Sequence, residues 1–106
     1  MDTIDWAAGL FEGEGYIRKS SNHTYVKAEI CLDMCDLDIV ERFRRVMGVG
    51  GNIFHTDHPN PNASLLHRYT ITGKERVKKC LQRMLPFFGH RRAYTALNVL
   101  DAIDGC

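Results

Sequence analysis

Two carboxylates lie between glycines in the run Glu12-Gly13-Glu14-Gly15 near the start of the chain. Carboxylate oxygens can hold a hard cation such as Mg²⁺, which usually takes one or two of them together with waters and phosphate oxygens. An ion held in this way can serve a hydrolytic reaction. Taken alone, an acid between glycines is more often a solvated group at a helix end, so the preceding residues decide between the two interpretations.

The residues before this run predict a short helix. Ile4, Ala8 and Phe11 recur at helical spacing and form one apolar face. Asp2 or Thr3 can cap the first turn. The helix therefore carries a carboxylate at its foot, meaning its C-terminal end.

Small residues occupy the middle of this helix. Ala7, Ala8, Gly9 and Gly13 are all small, and the two glycines are four positions apart on one face. A glycine in a helix interior costs about 1 kcal/mol relative to alanine. A chain tolerates that cost where another backbone must approach closely, so this face is predicted to contact a second copy of the helix.

The run Ala7-Ala8-Gly9-Leu10-Phe11-Glu12-Gly13-Glu14-Gly15 resembles the motif of the LAGLIDADG homing endonuclease family. Ala7 replaces the usual first leucine, and Glu12 and Glu14 stand where aspartates are common. Trp6, directly before the run, is also usual in the family. The chain holds one copy of the motif, so it resembles the single-motif members that assemble as homodimers.

Length and composition predict one domain over residues 1–106 with one modest core. No apolar run is long enough to span a membrane, and no signal peptide precedes Trp6, so we expect no membrane partner. Cys31 and Cys80 have the surroundings of small core or sheet residues, which favours a reducing, intracellular setting. The compartment stays open, and the Cys31-to-Cys35 spacing does not fit a zinc knuckle.

The net charge of the chain is only +1, which does not favour strong non-specific binding to nucleic acid. The distribution of charge matters more than its sum. Several acidic residues fall on predicted helices, away from the predicted sheet; they are Asp36, Asp38, Glu41, Asp101 and Asp104.

Hydrophobic periodicity and turn residues predict the element order α-ββ-α-ββ-α-α. The fold class is α+β, with a four-stranded antiparallel sheet covered by helices on one face, which resembles the LAGLIDADG fold. On the last helix, Tyr94, Leu97 and Leu100 are expected on the packed side. After the first helix, the predicted strands are 16–21, 24–33, 52–58 and 66–72, and the predicted helices are 37–47, 74–85 and 91–103.

Strand alternation leaves one face of the sheet polar and more basic than acidic. In the family that the chain resembles, this curved face lies in the DNA major groove. Arg18, Lys27 and Arg68 are the best candidates to read guanine, although each could be an ordinary surface residue. The predicted DNA-binding residues are Tyr16, Arg18, Ser20, Tyr25, Lys27, Glu29, Phe54, Thr56, Arg68, Thr70 and Thr72.

The resemblance implies that Glu14 is the main catalytic residue and a ligand of Mg²⁺. Two Glu14 side chains, one from each subunit, would meet where the motif helices cross. Glu12 is expected to have a structural role, and metal ligation is the alternative for it. The resemblance places the dimer interface on Ala8, Gly9, Glu12 and Gly13.

Two positions depart from the family pattern. Members carry a polar residue, often glutamine, just after the second strand, and Met34 stands there; methionine cannot position water by hydrogen bonding. Asp33 is adjacent, but strand alternation directs it differently. Members also place a lysine a few residues after a proline like Pro86, where this chain has Arg91, with Arg92 one position on. An arginine there would stabilise a phosphate electrostatically.

The five histidines form no recognisable ligand set. His55 and His67 fall on the inward alternation of their strands. We expect them to be hydrogen-bonded residues of the core or of a sheet edge.

The sequence therefore predicts a sequence-specific, magnesium-dependent DNA endonuclease that acts as a homodimer on a long, roughly palindromic site. The alternative on the same fold is a protein that binds DNA or intron RNA without cutting. Met34 and the low net charge favour that alternative, whereas Glu14 between its glycines favours the enzyme. A structural module that dimerises for other reasons would leave the polar sheet face unexplained.

Overall fold

A computed structural model describes residues 3–21, 26–56 and 66–104. The predicted order α-ββ-α-ββ-α-α is confirmed, with one short 3-10 turn added after the third helix. Tyr25, His58, Pro59–Asn62 and Cys106 lie outside the described residues. The elements are α1 (Ile4–Glu14), β1 (Gly15–Ser21), β2 (Val26–Met34), α2 (Leu37–Met47), β3 (Asn52–Thr56), β4 (Leu66–Thr72), α3 (Lys74–Met84), the 3-10 turn (Leu85–Phe87) and α4 (His90–Asp104).

Helix α1 begins at a side-chain cap and ends at a glycine. The Thr3 hydroxyl accepts a hydrogen bond from the Trp6 N–H at 3.4 Å, which satisfies one of the unpaired donors of the first turn. At the other end, a Cβ on Gly15 would lie 2.1 Å from the Phe11 ring. Only glycine therefore allows the chain to turn from α1 into β1 against this buried ring.

The four strands form one antiparallel sheet in the order β1-β2-β4-β3. One face packs against the helices, because Ala28, Ile30, Leu32, Tyr69 and Ile71 are buried there. The predicted inward and outward alternation of β4 is confirmed. Strand β2 extends one residue beyond its predicted end, to Met34, whereas the predicted strand positions 24–25 and 57–58 lie outside the described residues.

Aromatic rings hold α1 and α2 against the sheet. Phe11 stacks on Phe43 with 6.1 Å between ring centroids and on Phe88 with 5.9 Å, and Phe43 meets the edge of Tyr69 at 5.9 Å. Such pairs add to the stabilisation that comes from burying the rings. The core therefore fixes the position of α1, the helix that carries both glutamates.

The C-terminus of α2 is closed by a glycine and by a side chain from α3. Gly48 adopts a left-handed conformation with φ of +67°, which favours glycine. The Arg83 guanidinium donates to the carbonyls of Val46 and Met47 at 3.0 and 2.9 Å. These carbonyls would otherwise lack a partner at the helix end.

The prediction for the packed side of α4 is wrong in part. Leu100 is buried, but Tyr94 is 69% exposed and Leu97 is 51% exposed. The small side chain of Ala96 lets α4 approach its neighbours on a face rotated from the predicted one. The buried residues of this helix are Ala96, Val99, Leu100 and Ile103.

The cysteine predictions agree with the structure except at one strand position. Cys31 and Cys80 are buried free thiols, as expected, and burial raises the pKa of the Cys80 thiol to about 11. Cys31, however, lies on the outward alternation of β2 and is nevertheless fully buried, with Thr70 beside its sulphur. Within the described residues, no helix is long and apolar enough to cross a membrane.

Replacing Tyr69 with phenylalanine is expected to lower the free energy of unfolding by about 1 kcal/mol. The fully buried Tyr69 hydroxyl donates to the Gly50 carbonyl at 2.5 Å, and burial raises the pKa of this phenol to about 12. Phenylalanine would leave the carbonyl without its donor. Urea denaturation measures the effect, and Tyr94→Phe is the matched control because Tyr94 is exposed. Equal unfolding free energies for the two variants would contradict the expectation.

Candidate nucleic-acid interface and acidic helix end

The outward face of the sheet is concave. It encloses about 460 Å³ between strands from both hairpins and the start of α3. The lining includes six predicted DNA-binding residues, namely Arg18, Glu29, Phe54, Arg68, Thr70 and Thr72. It also includes Asn52 and Arg76, which sequence reasoning missed. Asn52 shares the alternation of Phe54 and could have been found; Arg76 lies on a helix, where strand alternation gives no signal.

The other predicted DNA-binding residues are placed as follows. Tyr16 is half-buried and Lys27 is exposed. Ser20 lies in β1 and Thr56 in β3, and only their backbone is described. Tyr25 is outside the described residues. The structure therefore brings the described members to one face, while their contact with DNA stays a prediction.

Glu29 joins two basic residues of this face. The Arg18 guanidinium contacts the Glu29 carboxylate at 2.6 Å, and the Lys27 ammonium lies 3.6 Å from it. The hydrogen bond from Arg18 lowers the pKa of Glu29 and raises the pKa of Arg18. Part of the positive charge on the sheet is thus matched by an acid on the same face.

Asp33 forms a second polar cluster on this face. Arg68 donates through Nε and Nη2 to the two Asp33 oxygens at 2.8 and 3.0 Å, and the Tyr16 hydroxyl donates to Asp33 Oδ2 at 3.3 Å. The hydrogen bonds to Asp33 raise the pKa of Arg68. Burial raises the pKa of Tyr16, and the Asp33 carboxylate adds to that shift.

Met34 and Asp33 point to opposite sides of β2. Met34 is half-buried and packs against the core, so it is turned away from the concave face. Asp33 follows Lys27, Glu29 and Cys31 in the outward alternation, a signal that identifies it in the sequence. The position where the family pattern expects a polar side chain is therefore apolar, and its outward neighbour is ionic.

Glu14 is the last residue of α1 and is exposed. No residue of the last turn of this helix is basic, and the Glu14 carboxylate lies at the negative end of the helix dipole. Gly15 pairs with Leu32 at the start of β1, which places Glu14 at the end of the sheet that also carries Asp33. Within the described residues, no three potential ligands cluster to hold a metal.

The four predicted interface residues lie on different sides of α1. Ala8 is fully buried in the core of its own chain, and Glu12 is half-buried. Gly9 and Gly13 are exposed, and a Cβ on either would meet no atom within 4 Å. Nothing within the described residues therefore requires glycine at these two positions.

The foot of α1 is tied to the start of α4. The Glu12 carboxylate accepts a hydrogen bond from the Gly89 N–H at 2.7 Å. Arg92 donates to the Glu12 carbonyl at 3.1 Å and lies over the Phe11 ring at 5.1 Å. Arg92 is thus used within the chain, whereas Arg91 is exposed. Sequence reasoning missed this junction, because no local pattern links positions so far apart.

His55 and His67 behave as expected. Their Nδ1 atoms lie 2.7 Å apart and their rings meet edge to face. His67 is buried at the start of β4. Each histidine is hydrogen-bonded, as predicted, with His67 at the edge of the core and the exposed His55 on the edge strand β3.

Glu12→Ala is expected to lower the free energy of unfolding by about 1 kcal/mol, because the Gly89 N–H loses its acceptor. Glu12→Gln should lower the free energy of unfolding less, since its amide oxygen can still accept the hydrogen bond from the Gly89 N–H. Thermal and urea unfolding of both variants measure this. The control is Glu41→Ala, which removes an exposed acid from α2. An equal loss in all three variants would mean that the contact with Gly89 has no specific effect.

The sequence model of the LAGLIDADG-like domain matches residues 6–84. No curated protein shows a significant match. Solved structures that share the fold include the homing endonuclease I-CvuI in complex with the I-CreI target, with a TM-score of 0.73 and 17% identity. The archaeal intron-encoded homing endonuclease I-Vdi141I complexed with DNA has a TM-score of 0.75 and 14% identity. The LAGLIDADG meganuclease I-AabMI bound to uncleaved DNA has a TM-score of 0.71 and 17% identity.

These similarities cover almost all of this chain but only part of each relative. The matches span 95% of this chain and 65% of I-CvuI, 96% and 67% for I-Vdi141I, and 94% and 36% for I-AabMI. They establish the four-stranded antiparallel sheet with helices on one face as the fold of this chain.

Proposed function

We propose, from the premise that this chain belongs to the LAGLIDADG-like domain family, that it is a sequence-specific, magnesium-dependent DNA endonuclease. It acts as a homodimer on a long, roughly palindromic site, with residues 1–106 as one domain. The observation that carries the proposal is the exposed Glu14 carboxylate at the foot of α1, beside the concave polar face of the sheet.

The exposed glycines of α1 support the homodimer. Gly9 and Gly13 weaken the helix, and no side chain or backbone of the described residues needs the space that they leave. Close packing against the same helix of a second copy would use that space. The crossing would bring two Glu14 side chains together and would join two sheets into one longer surface.

The donor chemistry at Glu14 suits Mg²⁺. The carboxylate is exposed, and its position at the negative end of a helix dipole favours a cation beside it. Magnesium is commonly held by one or two carboxylates together with substrate phosphates, so a Glu14 from each subunit would be sufficient. When bound there, Mg²⁺ supplies activation of water and stabilisation of the leaving oxygen.

The polar residues of the concave face and the exposed Arg91 bind and orient the DNA. The concave face presents hydrogen-bond donors and acceptors of the kind that contact base edges in the major groove. Glu12 and Arg92 hold the start of α4 against the foot of α1. The exposed Arg91 is therefore carried close to the Glu14 end, where its guanidinium can neutralise the charge of a phosphate.

A second candidate is a DNA-binding or intron-RNA-binding protein on the same fold that does not cut. It is favoured by Met34, which packs against the core and offers no polar group to position water. A cleavage assay separates the enzyme from a DNA-binding protein that does not cut.

Incubating a randomised plasmid library with the protein and Mg²⁺, and then sequencing the linear products, tests the proposal. We expect one recurrent, nearly palindromic site cut in both strands. Specific binding to such a library without linear products would support the non-cleaving binder. Absence of both binding and cutting would contradict each of the DNA functions and make RNA the next ligand to test.

A further inference from the structure

Two arginines on the concave face are each held by a carboxylate from the neighbouring strand. Arg18 of β1 contacts Glu29 of β2 at 2.6 Å, and Arg68 of β4 contacts Asp33 of β2 through two hydrogen bonds. The side chain of Arg18 is 54% exposed and that of Arg68 is 38% exposed. Both guanidinium groups are therefore fixed on one side and open on the other.

The geometry of the Arg68 contact leaves a second hydrogen-bonding edge free. Guanidinium carries five N–H donors in a planar fork, and Asp33 takes one from Nε and one from Nη2. The N–H groups of Nη1 and the second one of Nη2 remain for another acceptor pair. Guanine presents such a pair, O6 and N7, in the major groove. Holding the side chain in advance removes part of the ordering cost that binding would otherwise carry.

The matched charges indicate bases rather than phosphates as the target of these arginines. A phosphate contact gains from net positive charge, and each carboxylate offsets the charge of its arginine. The edge of a guanine is neutral and requires correctly placed donors rather than charge. The formal net charge of only +1 for the whole chain fits a protein that gains specificity in this way.

The distance between the two carboxylates on β2 sets the distance between the two arginines that they hold. Glu29 pairs with Arg18 across β1 and β2, and Asp33 pairs with Arg68 across β2 and β4. These holders are four residues apart on β2, which is about 13 Å at about 3.3 Å per residue. Where β2 lies along the axis of the DNA, that length corresponds to about four base pairs at about 3.4 Å per base pair.

We propose that Asp33 and Glu29 are positioning residues that hold Arg68 and Arg18 to read two guanines about four base pairs apart in each half-site. The guanine read by Arg68 lies nearer the centre of the site, because Asp33 is at the Glu14 end of β2. This assignment rests on the proposed function. It adds the two carboxylates that position the arginines, the bases that the arginines read, and the distance between those bases.

A binding selection tests it, using randomised double-stranded DNA, the full chain and no divalent metal. The variants are Asp33→Ala, Glu29→Ala and Arg68→Lys, and Asp33→Asn replaces Asp33→Ala if that variant does not fold. We expect the parent to select both guanines. Asp33→Ala and Arg68→Lys should lose about tenfold in preference at the inner position only, and Glu29→Ala at the outer position only. A variant that merely damaged the fold would weaken binding to all sequences alike.

Three outcomes would overturn the assignment. Selection of sites without guanines at this spacing would do so while leaving specific DNA binding intact. An unchanged base profile in Asp33→Ala, or in Asp33→Asn where Asp33→Ala does not fold, would show that Asp33 does not position Arg68 for readout. Failure of the parent to select any sequence would overturn the proposed function together with this inference.

Discussion

Glu14→Gln is expected to lower the rate of DNA cleavage by about a thousandfold or more, since metal-ion catalysis contributes several kcal/mol and each 1.36 kcal/mol is tenfold in rate. The amide keeps the size of the side chain but removes the negative charge that would hold Mg²⁺. Affinity for DNA should change little, because Glu14 lies at the end of the concave face and not among its lining residues. Cleavage is followed by plasmid linearisation and affinity by mobility shift.

The control for this substitution is Glu41→Gln, which makes the same chemical change at an exposed position of α2. It should cleave at the parental rate. Undiminished cleavage by Glu14→Gln would remove Glu14 from the catalytic centre. A loss of DNA binding as large as the loss of cleavage would show that Glu14 binds the DNA instead of acting in the reaction.

Gly9→Leu is expected to weaken the homodimer by about a hundredfold and to abolish cleavage with it. The two motif helices would cross at this position, and the substitution occurs twice in each dimer, at about 1–3 kcal/mol for each overpacked site. Within one chain the leucine meets no neighbour, so the monomer should fold with equal or greater stability. Analytical ultracentrifugation measures the dissociation constant, and urea denaturation measures the stability.

Gln82→Leu is the matched control for the glycine substitution. It adds a leucine at an exposed position of another helix, α3, and should leave the oligomeric state unchanged. Gly9→Ala should weaken the dimer less than Gly9→Leu, since alanine adds one methyl group. A dimer of parental strength in Gly9→Leu would place the interface elsewhere, and a strictly monomeric parent would remove the proposed pairing of two Glu14 side chains.

Elements with strong local signals could be predicted from the sequence. Leu37–Met47 and Leu66–Thr72 have the predicted bounds. The first is bracketed by Asp36 and by Gly48, a residue that readily adopts the left-handed conformation. The second alternates strictly between buried and less buried positions. These signals depend only on residues close in sequence, so tertiary packing does not change the elements that they predict.

The packed face of α4 could not be predicted, because apolar residues occur on more than one side of that helix. Tyr94 and Leu97 have the stronger apolar character, yet the small Ala96 faces the core. Tertiary packing decides between the two faces, and it depends on how closely α4 can approach neighbouring elements. Helical periodicity contains no information on that distance.

Membership of the outward face was predictable, but the partners on it were not. Alternation places Arg68 outward, whereas its contact with Asp33 depends on the order of the strands in the sheet. Glu12 and Gly89 meet for a similar reason, across a separation that no spacing rule covers. The sequence thus identified the residue types of the site, and the topology supplied their pairings.

Magnesium-dependent cleavage is tested most directly by linearisation of a supercoiled plasmid that carries the selected site, with the purified protein and either Mg²⁺ or EDTA. We expect complete conversion to linear DNA with Mg²⁺, none with EDTA, and recovery of cutting when Mg²⁺ is restored. Plasmid that stays supercoiled with Mg²⁺ although the protein binds the site, or cutting that continues in EDTA, would contradict it.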